Sequence, residues 1–186
     1  MKQHAVLPTT ERLALRRFTR DDLDLLDTLN SDAEVMRHMG GVKSREDTET
    51  MLRIRILAYY DENPGLGVWA SVLRSTGACI GMHLLNHIQG EAYIQVGYVL
   101  FREYWGRGYA TEMSVALLRY GFSGLGLERI VGITDLGNLG SQHVLEKSGL
   151  HRNGERAFAH PAYAKSGPLA WFERDAADWL ADHPCR

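Results

Sequence analysis

Two glycines, Gly106 and Gly108, stand in Tyr104-Trp105-Gly106-Arg107-Gly108-Tyr109-Ala110, between a strand-like run and a stretch with helical apolar spacing. Glycine lets backbone approach a ligand closely, because no Cβ intervenes. The first N–H groups of a following helix lack intrahelical partners and carry the positive end of its dipole. Such a turn suits a phosphate, and Arg102 and Arg107 flank it with further donors. The same residues also make a plain strand-to-helix turn with solvated arginines, so the spacing leaves both readings open. Gly108 is followed by Tyr109-Ala110-Thr111, where a Walker A loop requires Lys and then Ser or Thr. The third glycine of the dinucleotide fingerprint is also missing, so Glu128 at the right distance carries little weight.

Asn138 opens a second helical stretch, and Ser141 follows one turn later on the same face. Asn138 suits an N-cap as well as a ligand; Ser141 suits a solvated helix face as well as a reactive group. His83, His87, His143 and His151 are candidate bases, because imidazole titrates near neutrality. A strand histidine is more often packed, and Glu62, Glu91, Tyr98 or water are alternatives. Trp69 and Tyr93 suit an acceptor groove or, more commonly, the core. Cys79 and Cys185 belong to no CxxC pair, so neither a metal site nor a disulfide framework is expected.

These residues need elements to position them. Arg12–Arg16 alternates and reads as a strand; Thr19 then caps a short helix with Asp21 and Asp22 in its first turn. Gly40-Gly41 breaks the chain, Ser44 caps a second helix through about Tyr60, and Asn63-Pro64-Gly65 ends it. Val68–Leu73 and Cys79–Leu84 flank Ser75-Thr76-Gly77 as a hairpin, and Tyr93–Leu100 is the next strand. Ala110, Met113, Leu117 and Tyr120 share one face of the following helix. Leu127–Thr134 is a strand, residues 138–147 a helix stopped by Gly149, residues 168–172 a strand, and residues 174–180 a short helix. The order implies a mixed α/β fold whose strand–helix–strand unit makes its two strands parallel.

The chain has 186 residues and shows no repeat or linker, so residues 1–186 are expected to form a single domain. A hydrophobic fraction of 45% is enough for a sizeable core, and a net charge of −2 favours neither nucleic acid nor an anionic membrane as partner. Residues 1–8 lack the long apolar run of a signal peptide, and no stretch is apolar enough to span a bilayer. A reducing, cytoplasmic setting is the simplest expectation.

Trp105-Gly106-Arg107-Gly108-Tyr109-Ala110-Thr111-Glu112 resembles the acetyl-CoA pyrophosphate loop of the GNAT superfamily of N-acetyltransferases, particularly its RimJ/RimL-like branch. Three further segments agree, in the expected order: Thr10–Arg16 with Asp22; Ser31–Gly41; and Asn138 with Ser141 followed by Glu146–Leu150. The resemblance implies a twisted mixed sheet of about six to seven strands, with Tyr93–Leu100 and Leu127–Thr134 as splayed central parallel strands. It implies that acetyl-CoA is the cosubstrate, with no metal. The backbone of Tyr98, Val99 and Leu100 would pair with the pantetheine arm, and a backbone N–H near Tyr98 or Val99 would polarise the thioester. Arg102, Gly106, Arg107, Gly108, Tyr109, Ala110 and Thr111 would hold the phosphates. Asn138 and Ser141 would also face the cofactor, and Ser141 would act as the acid near its sulfur. Trp105 replaces the usual Gln or Arg, Leu145 a common tyrosine acid and Gln95 a common glutamate. The implied acceptor is a primary amine, on a protein N-terminus or a small molecule, and homodimers are common in the branch. A non-catalytic acyl-CoA-binding module and, more weakly, a nucleotide-binding protein are the alternatives.

Overall fold

Six alternating or continuous apolar runs and one polar edge segment, β6, fold into seven strands: β1 (Leu13–Arg17), β2 (Gly67–Leu73), β3 (Cys79–His87), β4 (Ile94–Leu100), β5 (Arg129–Asp135), β6 (His151–Arg156) and β7 (Leu169–Asp175). They form one open sheet in the order β1-β2-β3-β4-β5-β7-β6. Every neighbouring pair is antiparallel except β4 and β5. The computed structural model describes residues 6–183; Cys185 and residues 1–5 of the N-terminal segment read above lie outside them.

The helices are α1 (Leu23–Ser31), α2 (Arg45–Thr50), α3 (Ala58–Glu62), α4 (Tyr109–Arg119), α5 (Leu139–Lys147) and α6 (Ala176–Asp182). Thr19 caps a single 3-10 turn, Arg20–Asp22, in a reciprocal box with Asp22, and α1 follows. Ser44 does cap α2, its hydroxyl accepting from Asp47 N–H. Between α2 and α3 the chain is π-helical over Met51–Leu57, with Ala58 N–H bonding Arg53 five residues back. Such a stretch turns side chains out of ordinary helical register and is frequent at functional sites.

The core joins the sheet to its helices through Leu13, Leu26, Leu29, Trp69, Leu85, Met113 and Phe172, all with almost no exposed surface. Gly81, at a φ of +133°, lets β3 press against β4, since a Cβ there would strike the backbone of Val99 and Leu100. The last strand runs beyond the expected residue 172 because Glu173, Arg174 and Asp175 stay in register with Val131, Ile130 and Arg129. An Arg129–Asp175 ion pair of 2.5 Å holds that end, and α6 therefore starts two residues later than its sequence suggests.

Candidate active site

β4 and β5 touch at a single register pair, Gln95 opposite Val131, and part beyond it. Phe101 N–H bonds the carbonyl of Ile80, which fixes the ladder alternation: odd-numbered residues of β4 bond β3 and even-numbered ones face the gap. Tyr98 therefore aims its N–H and C=O into the gap, whereas those of Val99 serve the β3 ladder. This alternation leaves the Tyr98 N–H, and not that of Val99, without a partner on β3. The Leu100 carbonyl also faces away from β3 but accepts the Trp105 indole N–H at 2.8 Å, so only its N–H remains for a ligand.

The glycine turn lies at the same end of β4. Gly106 and Gly108 have φ of +70° and +79°, the left-handed region that favours glycine. Gly108 occupies the N-cap of α4 with no side-chain cap, and the first helical bond is Glu112 N–H to Gly108 C=O at 3.0 Å. The N–H groups of Tyr109, Ala110 and Thr111 consequently have no partner within the helix. Arg102 and Arg107 are exposed, and neither is in an ion pair among the described residues.

Arg12, which spacing did not single out, organises this turn. Its guanidinium pairs with Glu112 at 2.5 Å, donates to the Arg107 carbonyl at 3.0 Å and stacks 4.5 Å over the Tyr109 ring. Burial works to raise the Glu112 carboxyl, but hydrogen bonds from Thr10 and Arg12 outweigh it and hold the group below its ordinary value. The only hint in the sequence was Thr10-Glu11-Arg12 as a family-like opening.

Asn138 caps α5 by accepting Ser141 N–H at 3.0 Å. Burial pushes the Tyr98 phenol up, and the Ser141 side chain across the gap opposes the shift. Strand β4 and helix α5 thus meet across the gap. Leu145 is buried against Gly132 and lines no proton path. Gln95 donates to Asn86 at 3.3 Å.

The four histidines proposed as bases do not gather at this gap. His83 is fully buried, its Nδ1 2.6 Å from Ser71 Oγ, and burial pushes its pKa down to about 3, partly opposed by the Ala110 carbonyl. It is a neutral core residue beside the Tyr98 ring, at a centroid distance of 5.8 Å. His87 bonds the Tyr59 hydroxyl at 2.7 Å, His143 is exposed on α5, and His151 bonds Arg174. Trp69 is core, and Tyr93 packs edge-on against Trp171 at 5.1 Å. Glu62 is exposed on α3, away from any hydrogen bond among the described residues, and Glu91 lines a separate cavity. A fifth histidine, His38, does lie at the gap: its Nδ1 is 3.1 Å from Asp135 Oδ1, three residues before Asn138.

The profile of the acetyltransferase (GNAT) domain family matches residues 12–151. The chain belongs to the GNAT acetyltransferases. It is 33% identical to the uncharacterized N-acetyltransferase YoaA of Bacillus subtilis, over 78% of this chain and 82% of the relative. It is 27% identical to the spermidine N(1)-acetyltransferase of Escherichia coli strain K12, over 95% and 93%. The crystal structure of an acetyltransferase from Agrobacterium tumefaciens superposes with a TM-score of 0.76 at 26% identity, over 90% of this chain and 93% of that one.

As a GNAT acetyltransferase the chain is an acetyl-CoA-dependent N-acetyltransferase. Arg12, His38 and Asp135 escaped the sequence because each acts through a partner far along the chain.

Proposed function

We propose that this protein, as a RimJ/RimL-like enzyme, transfers the acetyl group of acetyl-CoA directly to a primary amine, on a small molecule or a protein N-terminus. The observation that carries this is the unpaired Tyr98 backbone in the β4–β5 gap, at the same end of β4 as the free N–H groups of α4. The pantetheine arm pairs there with Tyr98 and Leu100 like an added strand. The pyrophosphate lies on Gly106–Thr111, with Arg102 and Arg107 closing on it.

The amine lone pair attacks the thioester carbonyl, and the Tyr98 N–H stabilises the charge growing on its oxygen. The C–S bond then breaks. The departing thiolate takes a proton from the Ser141–Tyr98 hydroxyl pair, and the acetylated nitrogen gives one up to His38 or water. Tyr98 thereby offers from β4 the phenol that Leu145 lacks on α5. No acyl-enzyme is needed: the Cys79 thiol, pushed up by burial, is a poor nucleophile. The setting is cytoplasmic and the assembly a homodimer; among the described residues no helix is long and apolar enough to cross a membrane.

Free-thiol release from acetyl-CoA, followed across an amine panel, tests the proposal. Amine-dependent release supports it. Tight acetyl-CoA binding with no release at any amine identifies a non-catalytic acyl-CoA-binding module instead. Intact-protein mass spectrometry showing a transfer-competent acetyl-enzyme replaces direct transfer with a ping-pong route.

A further inference from the structure

Arg12 lies just before β1 and reaches the glycine turn 95 residues along the chain. Its Nη1 donates to the Arg107 carbonyl at 3.0 Å, and its Nε donates to Glu112 Oε2 at 2.6 Å. A Cβ at Gly108 would lie 3.4 Å from Arg12 Nη2, so the guanidinium rests against that side of the turn. The Tyr109 ring lies 4.5 Å from it as a further wall. Gly106, by contrast, has nothing within 4 Å of the place its Cβ would take.

Arg12 is itself held from behind. Its N–H donates to Glu112 Oε1 at 3.1 Å, and its carbonyl accepts from Arg74 N–H at 2.9 Å. The Arg74 guanidinium, just past the end of β2, donates to the Thr10 and Glu11 carbonyls at 2.9 Å each. The Thr10 hydroxyl donates to Glu112 Oε1 at 2.5 Å. The edge of the sheet thus braces the start of α4.

This brace has a mechanical and an electrostatic effect on a phosphate at the turn. In a trans peptide the C=O and the next N–H point to opposite sides, and no described peptide bond is cis. Pinning the Arg107 carbonyl toward Arg12 therefore turns the Gly108 N–H away from Arg12. That N–H has no partner among the described residues, and it adds to the free N–H groups that open α4. Glu112 meanwhile sets a carboxylate in the first turn of α4. A helix start favours one anion through its dipole, but a second anion beside it is repelled. Arg12 and Thr10 together occupy both oxygens of that carboxylate, and the guanidinium cancels its charge. Lysine could not replace this fork, because a point charge does not span a carbonyl and a carboxylate in one fixed plane.

We propose that Arg12 is a positioning residue for acetyl-CoA: it touches no cofactor atom, but aims the Gly108 N–H at the pyrophosphate and neutralises Glu112 beside it. This rests on the reading of Gly106–Thr111 as the pyrophosphate site.

Calorimetry should compare CoA with pantetheine, which lacks the pyrophosphate, on wild type, Arg12→Gln, Glu112→Gln and the double variant, each shown folded by circular dichroism. Arg12→Gln should weaken CoA binding about tenfold or more, as for one lost charge-assisted hydrogen bond, and leave pantetheine unchanged. Glu112→Gln keeps an acceptor for Arg12 and drops the charge, so its CoA affinity should hold or tighten. The double variant should bind CoA more tightly than Arg12→Gln, because the uncompensated carboxylate is gone. A double variant no tighter than Arg12→Gln overturns the positioning role, since a direct Arg12–phosphate contact gives that result. Wild-type CoA affinity in Arg12→Gln overturns it too, as do equal losses for CoA and pantetheine, the mark of a general distortion. Should Arg12→Gln not fold, Glu112→Gln decides alone: weakened CoA binding overturns the inference. Wild-type protein that binds CoA no more tightly than pantetheine instead removes the pyrophosphate reading beneath it.

Discussion

His38 Nδ1 lies 3.1 Å from Asp135 Oδ1, tying the loop after α1 to the last residue of β5. Asp135 also accepts Gly137 N–H at 2.8 Å, so one carboxylate fixes both the loop and the approach to Asn138. Val35 and Met36, three and two residues before His38, are buried, which anchors the loop's other side. Asp135→Ala should raise the acceptor KM and leave the acetyl-CoA KM unchanged, because the phosphate turn lies on other elements. The pair is partly exposed, so its loss should cost only about 0.2–1 kcal/mol in denaturant unfolding. An unchanged acceptor KM in steady-state kinetics would show that the pair does not shape the acceptor side.

The turn glycines separate conformational cost from ligand contact. Gly108 at φ +79° and Gly77 at φ +74° have almost the same backbone, but Gly77 lies in the β2–β3 turn. A Cβ at Gly77 meets nothing within 4 Å. Gly108→Val and Gly77→Ala should each lose about 1–2 kcal/mol of stability to left-handed strain. Only Gly108→Val should weaken acetyl-CoA binding strongly, by about tenfold or more if one phosphate contact is lost. Calorimetry on both folded variants checks this, and equal affinities would remove the turn from the cofactor site.

His83 sets part of the acid sensitivity of the fold. Its folded pKa of about 3 lies below the ordinary 6.5, because burial disfavours the imidazolium. Its contribution to stability is therefore complete above about pH 6.5 and is lost as pH falls toward 3, where the unfolded chain takes up the proton first. Between pH 6 and pH 5 this one group should cost about 1 kcal/mol, in a range where the carboxyls held low at Asp22 and Glu112 stay ionised. His83→Gln should be less stable at pH 7, because Ser71 loses its 2.6 Å partner, but should show a flatter profile from pH 6 to 5. Urea unfolding at each pH measures both slopes; parallel slopes would contradict the assignment.

Local chemistry was legible in the sequence, and long-range pairing was not. The Ser44 cap, the glycine turn and the Asn138 cap follow from residue types a few positions apart. The alternation of Ile94–Leu100 gives the strand, but which edge of it faces the gap follows only from the ladder with β3. Arg12 and Glu112 are a hundred residues apart, and His38 and Asp135 nearly as far, so no spacing rule joins them. The exposed polar β6 pairs only with β7, and its run of charged residues carries no alternation to mark it as a strand. His83 looked available for catalysis because the hydroxyl that holds it, Ser71, is on the neighbouring strand.

Ser141 lies near enough to the Tyr98 hydroxyl to oppose the upward shift that burial imposes on it, and the proposed transfer uses the two hydroxyls as a two-member proton path. In the proposed transfer one of these hydroxyls donates to the leaving thiolate while the other supports it. Removing a positioned acid typically costs about 10²–10⁴ in rate; here the low end is expected, because a thiolate is already a fair leaving group near neutrality and the surviving hydroxyl remains in place. Ser141→Ala and Tyr98→Phe should each lower kcat while barely changing acetyl-CoA affinity, since the phosphates and the Tyr98 and Leu100 backbone hold the cofactor. The double variant should lose little more than the worse single one if the two act as a unit, and the product of both losses if they act separately. A solvated helix serine would leave kcat unchanged in Ser141→Ala, even in single-turnover experiments where chemistry limits the rate. That result, in a variant shown to be folded, would remove Ser141 from the proton path and leave Tyr98 to be tested alone.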